Sequence, residues 1–226
     1  SGTYNAGTTE YNIKDYSHGM FQSVYDYPYL SSSANHIFDI TIGVGANSGL
    51  YSSVTSQQSK KKNIYNQMAQ VLMGYDATGS ILRFDEDGDL LAGGTKIDDG
   101  FFVNFSRLLV KDEIKKGSFE MELGVISAFA EAGTLHTERV KITDASGSDG
   151  YLVNSPVGEY GILYATASVL TTDTLAVNQS YAVGLLFYQA GIAFISGSVF
   201  MDSADGGILH TATDTSQFSA TSGKTG

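Results

Sequence analysis

The sequence predicts a mainly β, antiparallel, β-sandwich-like domain with one amphipathic helix at about 57–73 and an irregular, tyrosine-rich N-terminal arm. Three observations predict it. Short apolar/polar alternations recur with turn residues every 8–20 positions. Only one stretch shows sustained helical spacing. The composition carries 26 glycines, 14 tyrosines and 12 phenylalanines against two prolines in 226 residues. The expected organisation is an arm over 1–35, a β-rich domain over 36–200 and a polar tail over 201–226.

The arm is rich in Tyr, Ser, Asn and Gly and has no sustained period. Tyr4, Tyr11, Tyr16, Tyr25, Tyr27 and Tyr29 crowd it. Tyrosine joins a large apolar body to a polar tip, which suits contact surfaces. Two readings stand: an arm packed on its own domain, and one that reaches a neighbouring subunit, with these tyrosines as assembly contacts. Ile37 to Ile42 alternates, with Phe38, Ile40 and Ile42 on one face and Asp39 and Thr41 on the other, as in a half-buried strand. Gly43, Gly45 and Gly49 are expected to break it.

Ser56 or Ser59 can cap the helix. Ile64, Met68, Val71 and Leu72 give its apolar spacing, and Gly74 its stop. Lys60, Lys61 and Lys62 lie in its first turns, where the helix dipole disfavours cations. They read as a solvated face or as a run seeking an acidic neighbour.

Strand patterns then return. Ile81 to Phe84 is a short candidate, followed by the acidic turn Asp85–Asp89. Phe101, Val103 and Phe105 alternate. Phe119, Met121, Leu123 and Val125 alternate with Glu120 and Glu122, the cleanest strand in the chain. Between these two, Ser106–Gly117 has room for a turn or two of helix. Val140 and Ile142 mark another strand, and Tyr160, Ile162 and Tyr164 the next. Two apolar runs flank Gln189-Ala190-Gly191 and read as a hairpin.

Several chemistries are disfavoured by residue type and spacing. The chain has no cysteine, so disulfides and thiolate chemistry are excluded. Its net charge is −11, with no basic stripe, so nucleic acid is not an expected partner. No window approaches the ~20 apolar residues of a membrane helix, and a membrane is not an expected partner either. Asp85, Asp87 and Asp89 resemble the opening of a calcium loop, but Leu90 and Lys96 stand where the EF-hand needs Gly and Glu. They are weak metal candidates beside the plainer reading of a solvated acidic turn. The glycines of 43–49 miss the dinucleotide spacing. His18, His36, His136 and His210 form no zinc-type pair. Ser146-Gly-Ser148-Asp-Gly150 misses the nucleophile elbow by one glycine. No catalytic residue and no cofactor is expected.

Three segments together resemble a family. They are Asn63-Ile-Tyr-Asn-Gln-Met-Ala-Gln-Val-Leu-Met-Gly; Phe101-Phe-Val-Asn-Phe-Ser-Arg continuing through Lys111-Asp-Glu-Ile-Lys-Lys-Gly-Ser-Phe-Glu-Met-Glu-Leu; and Val183-Gly-Leu-Leu-Phe-Tyr-Gln-Ala-Gly-Ile-Ala-Phe-Ile. Their order over about 37–200 is similar to virion structural proteins of tailed bacteriophages, particularly T4-like myophages of marine and cyanobacterial hosts. The resemblance implies a non-enzymatic subunit of a tail or baseplate, assembled in the host cytoplasm into the virion. Its implied partners are copies of itself and other virion proteins. It also implies that Gly117 takes a turn conformation that positions the next strand. Charged residues are only 16% of the chain, which suits a surface covered by neighbours. The competing expectations are a capsid decoration or fibre-associated module that binds carbohydrate or a capsid surface, and a hydrolase with dispersed carboxylates.

Overall fold

A computed structural model describes residues 12–51, 56–85, 95–109, 113–124, 139–144, 152–167 and 181–200. Among these residues lie one helix, α1 (Ser56–Leu72), and twelve strands. The strands are β1 (Ile13–Asp15), β2 (Gln22–Tyr25), β3 (His36–Val44), β4 (Phe84–Asp85), β5 (Lys96–Ile97) and β6 (Asp99–Asn104). They continue with β7 (Glu120–Gly124), β8 (Arg139–Thr143), β9 (Leu152–Ser155), β10 (Gly158–Ala167), β11 (Tyr181–Phe187) and β12 (Ile192–Ser196). The fold is mainly β, as the alternations predict.

Ten strands form one antiparallel sheet in the order β1-β2-β3-β6-β12-β11-β10-β8-β7, with β9 beside β10. Its centre is apolar on both faces, and the sequence there runs continuously apolar for that reason. Phe102 of β6, Phe194 of β12 and Leu185 and Phe187 of β11 pack with Ile64, Tyr65, Ala69 and Leu72 of α1. Phe84 and Ile97 of the separate β4–β5 ribbon join this layer. On the opposite face, Val103, Ala193, Ile195 and Leu186 meet Leu163, Val140 and Ile142.

The sheet is strongly curled. Phe105, just after β6, lies 5.6 Å from Phe38 of β3 and 5.7 Å from Phe119, just before β7, between ring centroids. Five strand spacings separate β6 from β7 along the sheet. Flat, that is roughly 24 Å at about 4.8 Å per strand. Curling brings the β7 end of the sheet over against β6 and gives the sandwich-like interior.

Several sequence expectations change. The segment before residue 36 is not an irregular arm where it is described: β1 pairs with β2, and β2 with β3, so residues 13–25 extend the sheet. Strands of three and four residues are too short to show a period. Residues 1–11 and 201–226 lie outside the described residues. Gly43 does not break β3 but sits within it, opposite Gly100. A Cβ there would stand 2.6 Å from the Phe102 ring and 3.2 Å from the Tyr65 backbone, so the missing side chain lets α1 approach the sheet. Val71 is 56% exposed and does not belong to the buried face of α1. The helix stops as expected: Gly74 adopts φ 82° and its N–H donates to Ala69 O at 3.1 Å. The 181–196 hairpin forms with Phe187 opposite Ile192. Ser106–Gly117 contains a single 3₁₀ turn over Ser106–Leu108 among its described residues.

Candidate assembly surface

The candidate surface is built on the β1–β2 hairpin at one end of the sheet. Three rings cluster in its connection. Tyr16 and His18 stack almost parallel, 5° between planes and 5.1 Å between centroids. Phe21 tilts against both, at 4.9 and 5.2 Å. His18 is exposed, and Phe21 remains 38% exposed. The Lys14 ammonium lies 5.1 Å from the centre of the Tyr16 ring. A second group follows along β2. Tyr25 meets His36 edge-on at 5.4 Å and Tyr29 at 6.3 Å, while Tyr27 and Leu30 project to solvent.

The lysine run of α1 holds this hairpin. Lys60 Nζ donates to His18 O at 3.2 Å, and Lys61 Nζ to Gly19 O at 3.5 Å. Lys62 lies over the Tyr51 ring at 5.3 Å. Lys60 stays exposed, as a solvated face requires, yet it and Lys61 satisfy carbonyls of the aromatic turn, and among the described residues no ion pair of the run with an acid is seen. Burial holds the Lys61 ammonium below the usual lysine range. The contacts span 42 residues in sequence, and no local pattern announces them.

A polar chain lies beneath the rings. Ser23 Oγ donates to Asp39 Oδ1 at 2.5 Å, and His36 Nε2 lies 2.7 Å from the same oxygen. Tyr16 Oη and Ser23 Oγ are 3.2 Å apart. These are the residue types of a hydrolase triad in the wrong order. A triad places His between Ser and the carboxylate, whereas here the carboxylate stands in the middle, so this histidine cannot take the Ser23 proton. The chain orders β2 against β3.

Two cavities of about 260 and 280 Å³ flank Met20 and Phe21 and share Phe21, Ile40 and Thr41. Asp15, Gln22 and Lys61 edge the first, and Ile64, Met68 and Ile192 line the second.

Of the six arm tyrosines, Tyr16 lies in the ring cluster of the β1–β2 connection, while Tyr25 and Tyr29 form a second group at the other end of β2 with Tyr27 exposed; Tyr4 and Tyr11 lie outside the described residues. His18 and Phe21 complete the surface, and counting tyrosines alone does not find them. Asp87 and Asp89 also lie outside the described residues, so the acidic turn as a whole is not seen. Asp85 is fully buried and ion-paired with Lys96, which is not the environment of a solvated turn. Among the described residues, no group of three or more His, Asp or Glu could hold a metal ion. No described helix is long and apolar enough to cross a membrane.

Lys116 ion-pairs with Glu113 and Glu159 and lies 5.8 Å from the Tyr188 ring centre. Glu159 first, then Glu113, raise its pKa. Gly117 adopts φ 72°, the turn conformation expected for it.

A curled antiparallel sheet carrying an aromatic surface at its hairpin end is thus the class of protein that the geometry defines. No protein-family model, no curated protein and no solved structure matches this chain.

Proposed function

We propose that this chain is a non-enzymatic structural subunit that assembles with copies of itself through the aromatic end of the β1–β2 hairpin. The observation that carries the reading is the Tyr16–His18–Phe21 cluster, which is exposed and tied to α1 through Lys60 and Lys61. Aromatic groups already ordered in the free subunit lose little entropy on contact. Together with the low charge density and the segment resemblance, this supports a component of a tailed-phage virion, in the tail or baseplate, with other virion proteins as further partners.

Sedimentation velocity on the full chain across a concentration series tests the reading. The expected result is a concentration-dependent oligomer that Y16S/F21S reduces to monomer with an unchanged circular dichroism spectrum. A wild-type monomer throughout the series, or an oligomer indifferent to the substitutions, would sink it. Electron microscopy of intact particles tests the position.

One observation favours a second reading, a decoration or fibre-associated binding module. Tyr16 and Phe21 line a cavity of about 260 Å³ together with Asp15, Gln22 and Thr41. Rings beside side chains able to bond hydroxyls suit a sugar. A glycan array with no bound sugar removes the carbohydrate version.

A further inference from the structure

The β4–β5 ribbon carries two faces. Phe84 and Ile97 are cross-strand partners in the core under α1. Asp85 and Lys96 are the next pair in register, directly opposite each other. Arg83 and Asp98 form a further ion pair at 2.9 Å just beyond the ribbon. The two ion pairs differ in exposure. The Arg83 side chain is 39% exposed, whereas Asp85 is fully enclosed and the Lys96 side chain is 12% exposed.

Asp85 Oδ2 is engaged by Lys96 Nζ, and its second oxygen, Oδ1, is buried with no hydrogen-bond partner. A buried carboxylate normally accepts bonds at both oxygens, and leaving one bare is costly. The ammonium is also strained toward its neutral form: burial, then the nearby Arg83 charge, hold Lys96 below the usual lysine range. Desolvation disfavours the charged form of a carboxyl in the same way. Transfer of one proton from the ammonium to the carboxylate within this enclosed ion pair gives a neutral amine against a neutral carboxylic acid, the arrangement from which an amide forms.

We propose that Lys96 and Asp85 join through a side-chain isopeptide bond. The Lys96 Nζ lone pair attacks Asp85 Cγ. The Nζ–Cγ bond forms, the Cγ–Oδ2 bond breaks, and the leaving hydroxyl takes a proton from the amine to depart as water. Oδ1 stays as the amide carbonyl oxygen. The step is a condensation with no change in oxidation state and needs no co-reactant. It removes both buried charges at once. It also gives a chain without cysteine a covalent tie across the ribbon that packs beneath α1.

Intact mass spectrometry of the denatured full chain tests this. The expected mass is about 18 Da below that calculated from the sequence, the loss of one water. Proteolysis of the wild-type protein should release a branched peptide joining the segments around residues 85 and 96. D85A and K96R should each return to their own full calculated masses. Asp87-Gly88, Asp99-Gly100, Asp149-Gly150 and Asp205-Gly206 offer another route to the same loss, through succinimide formation. A succinimide opens in hydroxylamine or mild base, whereas the amide survives both. A full wild-type mass, a deficit that persists in K96R, a deficit removed by hydroxylamine, or the lack of a branched peptide each overturns the proposal. The wild-type readings stand even if a variant fails to fold.

Discussion

The Tyr188 hydroxyl donates to Asp144 Oδ2 at 3.0 Å, with both side chains completely buried. The same carboxylate accepts the backbone N–H of Gly117 at 2.7 Å and of Phe119 at 2.9 Å. One acidic side chain at the end of β8 thereby fixes the turn that leads into β7. Asp144→Ala strips three donors of their acceptor and should cost about 3 kcal/mol. Tyr188→Phe leaves the carboxylate its two backbone donors and should cost about 1–2 kcal/mol. Urea unfolding monitored by tyrosine fluorescence checks both; equal midpoints for wild type and D144A would refute the role.

The approach of β11 to β12 gives a second prediction. A Cβ on Gly184 would lie 1.9 Å from the Phe194 carbonyl oxygen, which belongs to a paired central strand and cannot swing away. Gly184→Ala should therefore destabilise by about 1–3 kcal/mol through overpacking. Gly49 has nothing within 4 Å of its added Cβ, and Gly49→Ala should stay within about 0.5 kcal/mol of wild type. Thermal melts of the two variants side by side make the comparison.

A third prediction concerns pH. Burial raises the Asp99 pKa above its ordinary 3.8, opposed by the hydrogen bond from Ser48 Oγ and reinforced by Asp98. The folded state thus binds this proton more tightly than the unfolded chain does. The penalty for its charge is absent below the ordinary value, grows as pH rises through the raised one, and is complete above it. Asp99→Asn keeps an acceptor for Ser48 and removes the charge. It should raise the melting temperature at neutral pH, and the gain should vanish as the solution is acidified below the ordinary carboxylate range. A gain that grows on acidification would contradict the assignment.

The long alternations made much of this architecture readable. β3, β6, β7 and β10 each carry enough residues to show which side is buried, and the 181–196 hairpin announces itself by two apolar runs around a glycine turn. β1, β2 and β9 were not readable. Each has four residues or fewer, and Val153 of β9 is 70% exposed, so neither length nor burial leaves a pattern. The surface was legible by residue type in its tyrosines but not in its geometry. Lys60 and Lys61 look like solvated charge until the fold brings the His18 and Gly19 carbonyls to them. The Ser23–Asp39–His36 chain depends on the pairing of β2 with β3, a relationship that a linear reading cannot supply. Asp85 and Lys96, eleven positions apart, become neighbours only through the ribbon register.

The position of β12 has a consequence for how the chain is made. This strand lies in the middle of the sheet, between β6 and β11, although it is the last of the described strands in sequence. Until the ribosome has delivered residues 181–196, no described strand pairs the β3–β6 half of the sheet with the β10–β8 half. Completion of the continuous sheet must therefore follow synthesis of this region. Nascent chains stalled upstream of β11 should remain protease-sensitive, with the apolar centre of the sheet still to be built.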